Sequence, residues 1–420
     1  MFKKTTLKNG LRIITVPLKN TQSVTVLVLV GTGSKYETKE INGISHFLEH
    51  LFFKGTKKRP NPLKIAEQLD RVGGMYNAFT GEETTGYWAK VNSEHFDLAL
   101  DWVSDILLNT KLKQKDIERE KGVILEEINM YLDLPMSYVG VLWDKLLYGD
   151  QPAGRSILGE KTNIISFKRK DFSKYYSNHY LASNTVVCVA GNITKSAEAK
   201  IKKYFQGIKT GSACSKKEVR EEQVKPQSLI HFKKTDQTHL CLGVRGYNLF
   251  HKQRYIQDLL AVILGGNMSS RLFMVVRERQ GLAYYIRTSS EKNTDTGCLV
   301  TQAGVDNKKV EKAIKSILKE YNLLKIKKIT KQELQKAKDY VKGTLSLSLE
   351  SSDAQASFYA GQELLTQKML SPKECIRKIN KVTVSDIQKV AKDIFQPEKL
   401  NLALIGPFKD REKFQRLLKL

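Results

Sequence analysis

The chain has 420 residues, 41% of them hydrophobic and 27% charged, with 27 Gly and 9 Pro; this mix excludes a collagen-like or linker-dominated polypeptide and suits two domains or two linked repeats. Lys and Arg number 70 against 44 Asp and Glu, a formal charge of +26. The surplus is Lys in short scattered groups such as Lys54, Lys57 and Lys58, with no arginine-rich block or zinc-finger spacing, so it reads as solvated surface and no nucleic acid is expected as a partner.

Five scattered cysteines without a C-x-x-C pair argue against a disulfide framework and against thiolate metal sites. The N-terminus opens on polar residues, and the longest apolar run, 24–30, falls far short of the roughly 20 residues of a membrane span. A cytosolic protein with no membrane partner is expected.

In chain order, β-branched residues predict strands over 11–16 and 23–30. Helices follow at about 43–53 and 62–72, the second with Pro62 at an early helical position. Gly73-Gly74 breaks the chain before strands at 75–79 and 84–91. Apolar residues at three- and four-residue spacing predict helices over 95–108 and 115–132, then a helical region over 167–180 and a strand over 185–190. The same plan returns: strands near 228–233 and 239–246, a helix at 254–264, strands around 283–290 and 296–303, helices at 309–324, 331–347 and 385–394, and a strand at 400–405. The polar stretch between them, 208–227, reads as a linker. A tandem of two α/β halves with one topology is expected, partitioned as 1–207, 208–227 and 228–420.

The sharpest motif is His46-Phe47-Leu48-Glu49-His50. On a helix, residues i and i+4 share a face, so both imidazoles reach a single ion, and Glu49 projects beside them. A carboxylate there is suited to take a proton from a water that a zinc ion acidifies. The order H-x-x-E-H inverts the commoner zinc-protease motif. An amphipathic helix with two incidental histidines is the plain alternative.

A catalytic zinc needs a third protein ligand and an open position. In the helix over 115–132, Glu127 has Val123, Ile124, Met130 and Tyr131 as its three- and four-residue neighbours, whereas Glu126 has a more polar setting. A carboxylate on an apolar stripe is costly unless paired or metal-bound, which favours Glu127 as ligand. Glu120, seven residues earlier, faces the same way and suits a partner that orients a ligand. A solvated acidic helix face is the alternative for both.

With these residues in view, the chain resembles the pitrilysin-type zinc metallopeptidases (inverzincins), and among them the short branch related to mitochondrial processing peptidase, over essentially its whole length. His46–His50 followed by Leu51-Phe52-Phe53-Lys54-Gly55-Thr56 is similar to the family's metal helix. Glu127 stands 77 residues after His50, the family's spacing for its third ligand, and Glu120 falls at the family's additional acid. The resemblance implies an α+β fold of two homologous halves, each a mixed or antiparallel sheet with helices packed on it, and one Zn²⁺ per chain on His46, His50 and Glu127. It also implies that Glu49 is the catalytic base.

Gly73-Gly74-Met75-Tyr76-Asn77-Ala78-Phe79-Thr80 resembles the family's substrate-facing strand. Read from the residues, it is a β-rich segment able to pair with an extended peptide, or an ordinary internal strand. By resemblance, Asn77 holds a carbonyl of the scissile residue, and Ala78 and Phe79 line the pocket. Arg277 and Tyr284 match the family's Arg and Tyr, seven apart, which donate hydrogen bonds to peptide carbonyls and to the developing oxyanion.

The second half carries no H-x-x-E-H, and the chain is about half the length of members that fold four repeats into one closed chamber. The expected function is therefore a zinc endopeptidase acting on short or unfolded peptides in a chamber of two chains, a homodimer or a heterodimer with a related subunit. Two alternatives stay open: a non-catalytic partner subunit of the same fold, and a basic nucleic-acid-binding protein.

Overall fold

A near-continuous apolar run needs cover on both of its faces, and Val24–Val30, broken only by Thr25, has it, every residue being at most 4% exposed. Even-numbered side chains of this strand face one layer of helices and odd-numbered ones another, as strand alternation requires. The computed structural model describes residues 2–420. Its first elements are β1 (Lys3–Thr6), β2 (Arg12–Pro17), β3 (Ser23–Val30), α1 (Ile44–Phe52), α2 (Pro62–Asp70), β4 (Met75–Thr80), β5 (Thr85–Asn92), α3 (Phe96–Leu108), α4 (Gln114–Asp133), α5 (Pro135–Tyr148), α6 (Lys161–Ser166), α7 (Arg169–His179), β6 (Thr185–Gly191) and α8 (Ala197–Phe205). The rest are β7 (Gln227–Phe232), β8 (Gln237–Arg245), α9 (Arg254–Gly265), β9 (Ala283–Lys292), β10 (Gly297–Asp306), α10 (Val310–Ile326), α11 (Lys331–Ser348), α12 (Ser352–Thr366), α13 (Pro372–Asn380), α14 (Val384–Ile394), β11 (Leu400–Gly406) and α15 (Arg411–Gln415).

Two mixed sheets form, in the strand orders β1-β2-β6-β3-β5-β4 and β7-β11-β8-β10-β9. Apart from the extra β1, the two orders superimpose strand for strand. In each sheet one pair is parallel, β2 with β6 and β7 with β11. The central pairs β3–β6 and β8–β11 are antiparallel, as are the two outer pairs of each sheet. The two halves thus share one topology, and the fold is α+β as the sequence implies.

The chain packs as two compact units that are interleaved along the sequence. One comprises 1–129, 156–217 and 346–370; the other comprises 130–155, 218–345 and 371–420. The partition at 207 and 228 follows the chain, whereas the packing exchanges two helices. Helix α5 belongs to the second unit, where Val139, Leu142, Trp143 and Leu147 cover Cys241, Val300, Ala403 and Ile405. Helix α12 belongs to the first, where Ala356, Tyr359 and Ala360 cover Ile14, Val16, Leu27, Leu29 and Cys188.

Polar contacts pin α12 in the first unit: Ser352 Oγ lies 2.8 Å from Thr25 Oγ1, and Lys90 Nζ is 2.6 Å from Asp353. The other face of the second sheet is filled by α9, α10 and α14. No helix among the described residues is long and apolar enough to cross a membrane.

Candidate metal centre

Helix α1 begins at Gly43, whose φ of +99° is a left-handed conformation that glycine tolerates best; a Cβ there would also meet Gly159 Cα at 2.8 Å. The side chain of Glu37 caps the helix. Its carboxylate accepts from Gly43 N at 2.7 Å, Ser45 N at 2.8 Å and Asn42 Nδ2 at 2.9 Å, satisfying N–H groups that a helix start leaves open. Phe47, Leu48, Leu51 and Phe52 bury the opposite side of α1, which leaves His46, Glu49 and His50 on the side toward α4 and β4.

His46 Nε2 and His50 Nε2 each stand 3.6 Å from Glu127 Oε2, and the three donor atoms lie within 4.8 Å of one another. In a tetrahedral zinc site with legs of roughly 2.0–2.1 Å, neighbouring donors stand roughly 3.3–3.4 Å apart, so each histidine-to-Glu127 separation is already close to the one an ion would set. Burial, aided by His50 and opposed by Glu120, pushes the His46 imidazole down to about 3. It is therefore neutral at physiological pH, the form that ligates metal.

Behind the ligands, Glu120 is only 2% exposed. Its Oε1 lies 2.8 Å from His50 Nδ1 and its Oε2 lies 2.7 Å from Lys54 Nζ. Burial would raise the Glu120 carboxyl, but its bonds to His50 and Lys54 outweigh that and hold it below the usual range. A charged Glu120 fixes His50 with Nδ1 protonated and Nε2 free to bind. The cluster sets three carboxyl groups (Glu49, Glu120, Glu127) against one ammonium (Lys54), an excess of acid that suits a divalent cation. The residues present fit such an ion.

Glu49 is set apart from the donor set. Burial and the nearby Glu127 raise its carboxyl, against the opposing pull of Thr80 and His50, and its Oε2 accepts from Thr80 Oγ1 at 2.5 Å. The sequence reading gives Lys54 and Thr80 no role at the site, Lys54 being taken as solvated surface, and it does not reach Glu37. Strand alternation was an available signal for Thr80, two residues beyond Ala78 on the same face; its partner, 31 positions away, was not.

Strand β4 is the outer strand of its sheet. Its alternation puts Ala78 and Thr80 on the side of α1, and Asn77 and Phe79 on the other. Asn77 is exposed, and its Oδ1 accepts from Ala78 N at 2.8 Å. Phe79 lies across Gly86, where a Cβ would meet its ring at 2.4 Å.

His46, Glu49, His50, Asn77, Ala78, Phe79, Glu120 and Glu127 all belong to the first unit, and Arg277 and Tyr284 to the second. Arg277 sits in a π-helical turn, 273–279, its guanidinium 4.6 Å from the Phe273 ring centroid. Tyr284, at the start of β9, is 76% exposed.

Comparison with known proteins gives the chain its relatives. Residues 12–161 match the family described as Insulinase (Peptidase family M16), and residues 166–341 match the Peptidase M16 inactive domain. An uncharacterized zinc protease of Bacillus subtilis, YmxG, is 38% identical over 97% of this chain and 98% of its own. The crystal structure of a protease from Helicobacter pylori superimposes with a TM-score of 0.91 at 26% identity, covering 97% of this chain and all of that one. A chain of Complex III2 from Candida albicans shares the fold, with a TM-score of 0.86 at 21% identity over the full length of both chains. The metal motif falls in the first matched domain, and the domain described as inactive carries none. This chain belongs to peptidase family M16.

Proposed function

We propose that the chain is a zinc-dependent endopeptidase that hydrolyses short or unfolded peptides, in a chamber completed by two chains as a homodimer or as a heterodimer with a related subunit. The observation that carries this reading is the convergence of two imidazole nitrogens and one carboxylate oxygen within 4.8 Å, beside a further carboxylate, Glu49, that is not committed to the cluster.

His46, His50 and Glu127 would hold the ion, and Glu120 and Lys54 would steady His50. Bound there, zinc supplies a Lewis acid that polarises a peptide carbonyl and brings the pKa of a water toward roughly 7. Glu49 takes the proton from the attacking water and passes it to the departing amine; its raised carboxyl suits both transfers. The free edge of β4 would pair with the peptide as an added strand, with Asn77, Ala78 and Phe79 contacting it. Arg277 and Tyr284 would donate hydrogen bonds to the peptide and to the oxyanion; the exposure of Tyr284 supports a role in meeting a ligand or a second chain.

A non-catalytic subunit of the same fold is the second reading, drawing on the likeness to a Complex III2 chain. Digestion of an unstructured peptide library, followed by mass spectrometry with and without a chelator, separates the two. The endopeptidase reading expects cleavage that stops with chelator and returns with zinc. Zinc-loaded protein that leaves the library intact would favour the subunit.

A further inference from the structure

We propose that Thr80 is the positioning residue for the base, holding one oxygen of Glu49 so that the other is free for water. This rests on the assignment of Glu49 as the proton acceptor. The hydroxyl of Thr80 donates to Glu49 Oε2 at 2.5 Å, the short end of the range for a bond to a charged oxygen. Among the described residues it is the one hydrogen-bond donor to that carboxylate.

A glutamate on a helix has three side-chain torsions, and Glu49 is half-buried rather than packed on all sides. Without a fixed donor, its carboxylate would sample positions that do not face the attacking water. With Oε2 engaged, Oε1 is left as the acceptor, and the plane of the carboxylate is set.

The donor itself is well anchored. Thr80 is β-branched, so its χ1 has few choices, and it is paired with the fully buried Thr85 across β4–β5. Thr85 Oγ1 donates to Thr32 O at 2.9 Å. The turn that follows is closed by Gly81 N donating to Thr84 O at 2.8 Å, and it is tied to the chain after β3 by Ser34 N to Gly81 O at 3.2 Å and Lys35 N to Glu82 O at 3.0 Å. Glu49 is therefore steadied by the last residue of the strand whose free edge would take the peptide. A peptide that pairs with β4 and stiffens it also stiffens the mount of the base.

The test compares Thr80→Val, an isosteric loss of the hydroxyl, with Thr80→Ser, which keeps it, in protein loaded with one zinc equivalent. A displaced base costs on the order of 10–100-fold. Thr80→Val should lower kcat by that factor while KM stays within about twofold and zinc stoichiometry is unchanged, and Thr80→Ser should recover most of kcat. Equal losses in Val and Ser, a loss confined to KM, or full activity in Val would each overturn the proposal.

A crystal structure of the Val variant gives a readout that does not depend on turnover, with Glu49 expected to leave its present rotamer. Glu49 found in place overturns the role of Thr80 whatever the kinetics. If the parent protein cleaves nothing, the endopeptidase reading fails, and the position of Glu49 in the variant then decides the role of Thr80 alone.

Discussion

Helices α1 and α9 occupy equivalent places, each following the strand at the heart of its sheet, yet they treat buried polar groups in opposite ways. In α9 the buried Gln257 is fully used by the protein itself. Its Oε1 accepts from Tyr247 N at 2.8 Å, and its Nε2 donates to Ser290 Oγ at 2.9 Å and to Cys298 O at 3.3 Å. In α1, two imidazole nitrogens face a carboxylate oxygen at 3.6 Å each, too far for hydrogen bonds and close enough to share an ion. Identical topology thus yields a self-satisfied scaffold in one half and an open donor set in the other. Chemistry in this molecule follows side chains, not architecture.

The largest effect expected on that contrast comes from Glu49→Gln. Turnover should fall about 10²–10⁴-fold, the usual contribution of a general base, with zinc retained; near-parental activity would remove Glu49 from the reaction. Next, Glu120→Gln leaves His50 without its charged partner and should weaken zinc binding about 10–100-fold, read by competition with a chelating dye. Unchanged affinity would reduce Glu120 to a structural acid.

Gln257→Met probes the other side of the comparison. It strands the buried Tyr247 N–H, so it should cost about 1–3 kcal/mol of stability by denaturant titration without altering zinc affinity. A change in zinc binding would mean the two halves are not chemically independent.

The smallest effect concerns acid. His179, last in α7, stands where α14 has the fully buried Ile394. Burial pushes the His179 imidazole down to about 4, and its Nδ1 finds no hydrogen-bond partner among the described residues. Because the folded pKa lies below the unfolded value near 6.5, the stability contributed by neutral His179 is present above pH 6.5 and is lost as pH falls toward 4. His179→Phe should flatten that limb, by about 1 kcal/mol at pH 5.5, in paired denaturant titrations against the parent. Parallel curves would place the acid sensitivity elsewhere.

The histidine pair of the candidate metal motif is legible in the sequence because His46 and His50 are one turn apart on one helix; of the apolar neighbours that single out Glu127, Val123, Met130 and Tyr131 are exposed, so its place beside the imidazoles comes from the packing of α4 on α1. The duplicated topology was legible from the recurring order of strand and helix periods. The exchange of α5 and α12 was not. No window of sequence states which sheet a helix will cover, and of the residues α12 buries, Ser352, Ala356, Tyr359, Ala360 and Glu363, all but Tyr359 are too small or polar to print an apolar period. The bond from Thr80 to Glu49 and the Lys54–Glu120–His50 chain join residues 31 to 70 positions apart, so they appear only once α1, α4 and β4 are packed together.

Anomalous diffraction at the zinc absorption edge, on crystals grown with one equivalent of zinc, tests the metal centre most directly. One peak is expected per chain, within coordination distance of His46 Nε2, His50 Nε2 and the Glu127 carboxylate, with Glu49 beside it and not ligated. An empty position between those three side chains, or zinc bound at some other cluster, would contradict the assignment.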